Sequence, residues 1–236
     1  MKCSLSVLVN VSLIINHLRF NTISQSGKMF TCISNHVNLN IMSLKYSNTT
    51  ADRLDWEDML NLVRKLMQDE NYKIALFITL GSFWGLRVYD MKQLTWLSIL
   101  DKDEITIIEH KTEKKRVIPI APQLKKFIAD CYNHIKPVCL DSPVFLSQKG
   151  TVYSTQQLNR VLKQIKAKYR VNVKNFSCHS LRKTFGRQVY NQNPENAERA
   201  LVMLMDIFNH SSLAITKRYI GLRQEEVAQT YESLSF

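Results

Sequence analysis

The stretch KIALFITLGSFWG, residues 73–85, is apolar on nearly every side. A helix without a polar face has nothing to offer water, so it must be surrounded by other elements. This one feature predicts a buried central helix ending at Gly85, with the remaining chain wrapped round it. The flanking sequence supplies suitable partners. In LDWEDMLNLVRKLM, Leu54, Met59, Leu62, Val63 and Leu66 form one apolar face, and Asp55 is positioned to cap the start. RVYDMKQLTWLSI predicts a further helix, with Arg87 in its first turn and Val88, Met91 and Leu94 toward the core.

Beyond residue 103 the period changes. EITIIEH and RVIPI are short β-branched runs on either side of the charged HKTEKK, which predicts an antiparallel hairpin with a basic tip. APQLKKFIADCYNHI returns to helical spacing, and SPVFLS reads as a short extended piece. Ser154 with Gln157 makes a capping box for a basic helix running to about Arg170. Ser177 caps the stretch CHSLRKTFGRQVYNQ. Asn193 with Pro194 opens ENAERALVMLMDIF, and Ser211 or Ser212 caps a last clear helix through Ile220, with Gly221 as its stop. Trp56, Trp84 and Trp96 read as core or core-edge residues. The fold class expected is mainly α with a small antiparallel β-sheet.

The chain has 236 residues, 45% of them hydrophobic, enough for one sizeable core. Its formal net charge of +12 points to a polyanionic partner, nucleic acid first among them. Cys3, Cys32, Cys131, Cys139 and Cys178 form neither a CxxC pair nor a Cys/His ligand spacing. That argues against a disulfide framework and a structural zinc site, and for a cytoplasmic, DNA-associated protein. Cys178 reads as a small core residue. No Asp or Glu precedes Asp52, while Ser and Asn are frequent there. Residues 1–49 therefore read as a weakly structured extension, with Met42 a candidate natural start, and residues 50–236 as the folded domain. The apolar run at the N-terminus is interrupted by Asn10 and Asn16 and is too short to span a bilayer, so no membrane association is expected.

Six side chains carry the chemistry. Arg87 follows the buried helix, and Lys111 lies at the hairpin tip. His179 and Arg182 share one helix face at i and i+3, His210 stands before the last cap, and Tyr219 follows on the short helix. Two Arg, one Lys, two His and one Tyr suit phosphoryl transfer without a metal or cofactor. Guanidinium forks can grip two oxygens of a five-coordinate phosphorus, and fixed cations aimed at developing charge are the largest catalytic contribution. Tyrosine, with an ordinary pKa of about 10, becomes a nucleophile beside a base or in a positive field. A lysine on a hairpin tip can protonate a departing alkoxide.

Taken in order, GLRVYDMKQLTW, HKTEKKRVIPI, HSLRKTF and NHSSLAITKRYIG resemble the first Arg motif, lysine hairpin, His-x-x-Arg motif and His box with nucleophile of the tyrosine recombinases, the phage integrase family. The resemblance covers roughly residues 50–221. It implies the catalytic-domain fold of DNA breaking-rejoining enzymes and site-specific recombination through a 3′-phosphotyrosine intermediate. By the same resemblance Arg87 and Arg182 clamp the scissile phosphate, Lys111 is the acid for the 5′-oxygen, and His179 is the acid/base for Tyr219. His210 bonds a non-bridging oxygen. Asp90 stands where the family more often has Glu and is expected to orient Arg87 or a neighbour. Phe208-Asn209 replaces the usual Leu-Gly, and Asn tolerates the left-handed backbone that Gly would adopt there.

The partner implied is double-stranded DNA, bound by a homotetramer joined through the C-terminal segment, with accessory DNA-bending proteins as further partners. Residues 1–49 do not read as a complete core-binding domain. Two other readings share these motifs: a non-catalytic DNA-binding remnant, and strand relaxation of the type IB topoisomerase kind. Lys114, Lys115 and Arg116 beside the hairpin tip, and Lys163, Lys166, Lys168 and Arg170 on the basic helix, are the candidate contacts to DNA backbone.

Overall fold

The computed structural model describes residues 51–234. The N-terminal extension expected over residues 1–49 lies outside them.

Helix α1 (Trp56–Gln68) starts where Asp55 accepts a hydrogen bond from the Glu57 amide, and it buries Met59, Leu62, Val63 and Leu66. The apolar stretch forms α2 (Tyr72–Trp84), from which Ile74 through Ser82 are all buried. It packs against α1, against α5 (Pro122–Ile135) and against α7 (Cys178–Asn191), and so is the central helix that its composition demands. Gly85 ends it at φ +57°, a conformation that costs glycine little. A side chain there would also have to enter the Phe185 ring, since an ideal Cβ would lie 2.3 Å from Phe185 Cδ1.

The helix expected after Gly85 is instead two short ones, α3 (Val88–Lys92) and α4 (Trp96–Ile99), and Arg87 is the extended residue capping α3 rather than part of its first turn. The break has a long-range cause. Thr95 pairs as an isolated bridge with Pro143, and the amides of Trp96 and Leu97 donate to the carbonyls of Ser142 and Leu140. Met91 and Leu94 are buried as expected, while Val88 is only half-buried.

Strands β1 (Glu104–Ile108) and β2 (Lys115–Pro119) form the hairpin, in a register that sets Ile105 opposite Ile118 and Ile107 opposite Arg116. Helix α6 (Thr155–Tyr169) opens with the expected box, Gln157 N donating to Ser154 Oγ and Ser154 N to Gln157 Oε1. In α7 the Ser177 amide donates to Ser180 Oγ, and Cys178 is buried. Asn193 does not cap the next helix. Its side chain donates back to the Val189 carbonyl, residues Pro194–Asn196 form a single 3₁₀ turn, and α8 runs from Ala197 to Phe208. Helix α9 (Leu213–Tyr219) is capped by Ser212, and Gly221 at φ +87° leads into one more helix, α10 (Leu222–Glu232).

Hydrophobic burial divides into two clusters. The large one gathers α1 to α7 and the hairpin. The small one comprises Leu201, Leu204, Phe208, Ile220 and Leu222, with Phe185 and Tyr219 among the residues at its edge. Among the described residues no helix is long and apolar enough to cross a membrane.

Candidate active site

The end of α8 organises the site. Asn209 adopts φ +52°, ψ +52°, the left-handed geometry that a residue replacing Gly must tolerate. Its amide donates to the Asp206 carbonyl and the His210 amide to that of Met205. This pair of bonds satisfies two late carbonyls of the helix and turns the chain sharply. The Phe208 carbonyl is left over, and the two arginines take it: Arg87 Nη2 donates at 3.0 Å and Arg182 Nη2 at 3.3 Å. Arg182 is anchored again through Nη1 to the carbonyl of Gly85, the residue that stops α2. Its guanidinium also lies 4.4 Å from the centre of the Phe208 ring. Only 5% of Arg182 is exposed. Burial pushes its pKa down to about 10, with Tyr219 and Glu109 opposing and Arg87 and Arg116 assisting, so it stays charged at neutral pH.

Tyr219 and His210 lie against the same ring. Tyr219 stands 5.2 Å from Phe208 and 5.2 Å from His210, centre to centre, in edge-on contacts. Burial raises the phenol pKa, and the charges of Arg182 and Arg87, with a hydrogen bond from Arg182, pull it back down. The nucleophile expected from the sequence therefore rests as a phenol inside the field of both expected clamps. His210 Nδ1 is 3.0 Å from Thr216 Oγ1, a buried hydroxyl one turn before Tyr219. Burial, then the charges of Arg182 and Arg87, hold His210 below the ordinary imidazole pKa. His179 lies one turn before Arg182 on α7, and loss of surrounding water, then Arg182 and Lys183, lowers its pKa too. Both imidazoles are therefore shifted toward the neutral form at pH 7.

Lys111 is exposed on the hairpin tip. Asp90 does not bond Arg87; its Oδ1 accepts from the His110 amide, and so it fixes the neighbour of Lys111. Two residues outside the expected catalytic set complete the arginine cluster. Glu109, 4% exposed, accepts from Arg87 Nη1 at 2.7 Å, from Thr112 Oγ1 at 2.9 Å and from Arg116 Nη1 at 3.4 Å. Burial pushes its carboxyl pKa up, but the bonds from Arg87 and Thr112 and the charges of Arg87 and Arg182 outweigh burial and hold it below the ordinary value. Arg116, expected on the outside as a DNA contact, is instead drawn inward. Its Nη2 donates to the Trp84 carbonyl at 2.9 Å.

The other basic candidates divide. Lys114 Nζ reaches Asn209 Oδ1 at 2.9 Å, joining the hairpin to the end of α8, while Lys115 is exposed. On α6, Lys163 and Arg170 are exposed, Lys166 donates to the Lys174 carbonyl, and Lys168 pairs at 2.5 Å with Asp69 beside α1. The α6 residues thus do not join the arginine cluster. Among the described residues no group of three or more His, Cys, Asp or Glu side chains is arranged to hold a metal ion.

The chain resembles known proteins in sequence and in fold. The sequence profile of the phage integrase family matches residues 52–226. A probable integrase/recombinase of Bacillus subtilis, YoeC, is 30% identical over 171 residues, covering 72% of this chain and 89% of its own length. The tyrosine recombinase XerH of Campylobacter jejuni is 25% identical over 167 residues, covering 68% of this chain and 45% of the recombinase. This chain thus spans less than half of XerH. The crystal structure of XerA recombinase superposes with a TM-score of 0.60 at 19% identity, over 80% of this chain and 67% of that one. XerH in a post-cleavage complex with its difH substrate gives 0.58 at 20% identity, over 86% and 60%. The family profile spans most of the chain, and the chain belongs to the phage integrase family of tyrosine recombinases.

Proposed function

We propose that this domain cuts and rejoins double-stranded DNA by transesterification, with Tyr219 as nucleophile. The observation that carries this reading is the convergence of Arg87 and Arg182 on one carbonyl beside the Tyr219 phenol. Each guanidinium has five N–H donors, and those not tied to the protein are available to the non-bridging oxygens of a phosphodiester. Because both side chains are already anchored, little reorganisation is needed when charge builds on phosphorus.

In the proposed step Tyr219 Oη bonds to phosphorus as the P–O5′ bond breaks. The phenol proton passes to neutral His179, and the departing 5′-oxygen takes a proton from Lys111. His210, held by Thr216, donates to a non-bridging oxygen. The 3′-phosphotyrosine keeps the bond energy, and a 5′-hydroxyl from a partner strand reverses the step. Because each phosphoester bond broken is matched by one formed, the chemistry needs no nucleotide cofactor. Assembly as a homotetramer through the C-terminal segment is supported by α10 and the residues just after it, where Val227, Tyr231 and Leu234 are 49%, 72% and 74% exposed. Those side chains present apolar surface to a neighbour rather than fold back onto their own domain.

A pool of nicked duplexes of randomised sequence tests the reading. The native chain should give a covalent, protease-sensitive adduct that resists denaturation, and Tyr219→Phe should give none while unfolding at the same temperature. An adduct that persists in Tyr219→Phe would remove Tyr219 from the role, and salt-sensitive binding without adduct would reduce the domain to a DNA-binding remnant.

A further inference from the structure

We propose that Glu109 is a positioning residue that locks the Lys111 tip to the arginine clamp, with Thr112 as its link to the tip. The inference rests on the transesterification reading above and assigns the device that sets the acid against the phosphate.

A general acid must hold its proton within hydrogen-bond reach of the leaving oxygen. Lys111 sits on a charged turn between Glu109 and Lys114, the kind of loop tip that moves freely unless it is tied down. Here it is tied on both sides. The Thr112 and Glu113 amides donate to the Glu109 carbonyl, and the Glu109 amide donates to the Lys114 carbonyl, which closes the tip on Glu109 itself. The Glu109 carboxylate then takes Thr112 Oγ1 with the same Oε2 that takes Arg87. On the other side of Lys111, the His110 amide is held by Asp90. One buried oxygen therefore touches both the clamp and the residue next to the acid.

The carboxylate is itself held from beneath. Arg116 reaches Oε1 while bonding the carbonyl of Trp84, the last residue of the central helix. A buried carboxylate between two guanidinium groups has its geometry fixed by charge as well as by hydrogen bonds. The Glu109 carboxylate bonds Arg87, Thr112 and Arg116, and none of its bonds goes to Tyr219. It acts through Arg87 on one side and through Thr112 on Lys111 on the other.

The two arms can be cut separately. Thr112→Val keeps the shape of a half-buried residue and removes only the link to the tip. Glu109→Gln keeps the shape and removes the charge that orients Arg87. The readout is the rate of adduct formation at a sequence enriched from the randomised pool, on an ordinary phosphodiester and on one whose bridging 5′-oxygen is replaced by sulfur. A thiolate departs without a proton, so the sulfur substrate bypasses the acid.

Thr112→Val should slow the ordinary substrate by at least about tenfold, a part of the 10²–10⁴ that a positioned acid supplies, and leave the sulfur substrate within about twofold. Glu109→Gln should slow both, and Glu109→Asp should recover part of the loss. If Thr112→Val slows both substrates alike, or neither, the link from Glu109 to the acid is overturned while the transesterification reading stands. If the native chain forms no adduct with either substrate, the reading falls and this inference with it.

Discussion

The two halves of the cleft are built differently. Arg87, Glu109, Arg116 and Arg182 stand on the large core: Arg116 and Arg182 donate to the carbonyls of Trp84 and Gly85 at the stop of α2, Glu109 pairs with Arg87 and Arg116, and Arg87 and Arg182 also reach across to the Phe208 carbonyl at the end of α8. His210 and Tyr219 stand on the small cluster, where few buried apolar residues fix α8, α9 and the start of α10. Burial scales the free energy needed to open a region, so the side with less buried apolar area opens first. The arginine side is therefore the rigid partner and the Tyr219 side the adjustable one. Under the proposed transesterification, in which Tyr219 must be delivered to phosphorus, this division is useful.

The small cluster reaches the clamp because α7 has a gap for it. An ideal Cβ at Gly186 would lie 2.7 Å from Ile220 Cγ2 and 2.9 Å from Phe208 Cε2, closer than side-chain atoms approach. Glycine is what allows Phe208 to sit low enough for its carbonyl to meet both arginines.

The sharpest way to break the comparison is to remove the rigid half. Arg182→Ala should lower the rate of adduct formation by about 10²–10³, the usual loss of a preorganised donor. Arg182→Lys should recover little, because an ammonium cannot hold the Gly85 and Phe208 carbonyls with a planar fork. If Arg182→Lys works at native rate, charge alone matters and the anchoring described above does not.

A smaller effect is expected from the adjustable half. Leu204, fully buried in the small cluster, should cost about 2–4 kcal/mol when truncated to Ala. Amide exchange should show where the loss falls: faster in α9 and α10, unchanged in α2. Exchange that quickens equally in α2 would mean a single cooperative unit and would erase the distinction between the halves.

Much of this was legible in the chain. The all-round apolar stretch announced the central helix, and the family resemblance of the motifs implied that Arg87, Arg182, His210 and Tyr219 meet at one place. The left-handed turn at Asn209 followed from what Asn tolerates in place of Gly. Glu109 was missed and Arg116 was read only as a contact to DNA, although a signal for their pairing existed. With period 2, Ile105, Ile107 and Glu109 share one face of β1 and its continuation, and Arg116, Ile118 and Ile120 share one face of β2 and its continuation. An acid and a base on the inward face of one hairpin must pair or be costly. The break between α3 and α4 had a faint local signal, the box in which the Thr95 amide donates to Ser98 Oγ, and a long-range one that the sequence does not show, the bridge from Thr95 to Pro143. Asn193 failed as a cap because its amide found the helix behind it rather than the one ahead.

The finest test of the comparison is electrostatic. His179 belongs to the rigid half and His210 to the adjustable one, and both have pKa values below the ordinary imidazole value of about 6.5, half-buried His210 through burial and then Arg182 and Arg87, exposed His179 through the water its neighbours displace and then Arg182 and Lys183. The unfolded chain then binds more protons than the folded one between the depressed values and 6.5. Stability from these groups is thus present above 6.5 and erodes as pH falls through that window. The acid limb of adduct formation should lie below the ordinary imidazole value for the same reason, since in the proposed step His179 must be neutral to accept the phenol proton. The cations differ: Lys183 acts on His179, while Arg182 acts on both. In an NMR titration Lys183→Met should raise the His179 pKa and leave His210 in place. If both imidazoles shift together, the two sides share one field and cannot be tuned apart.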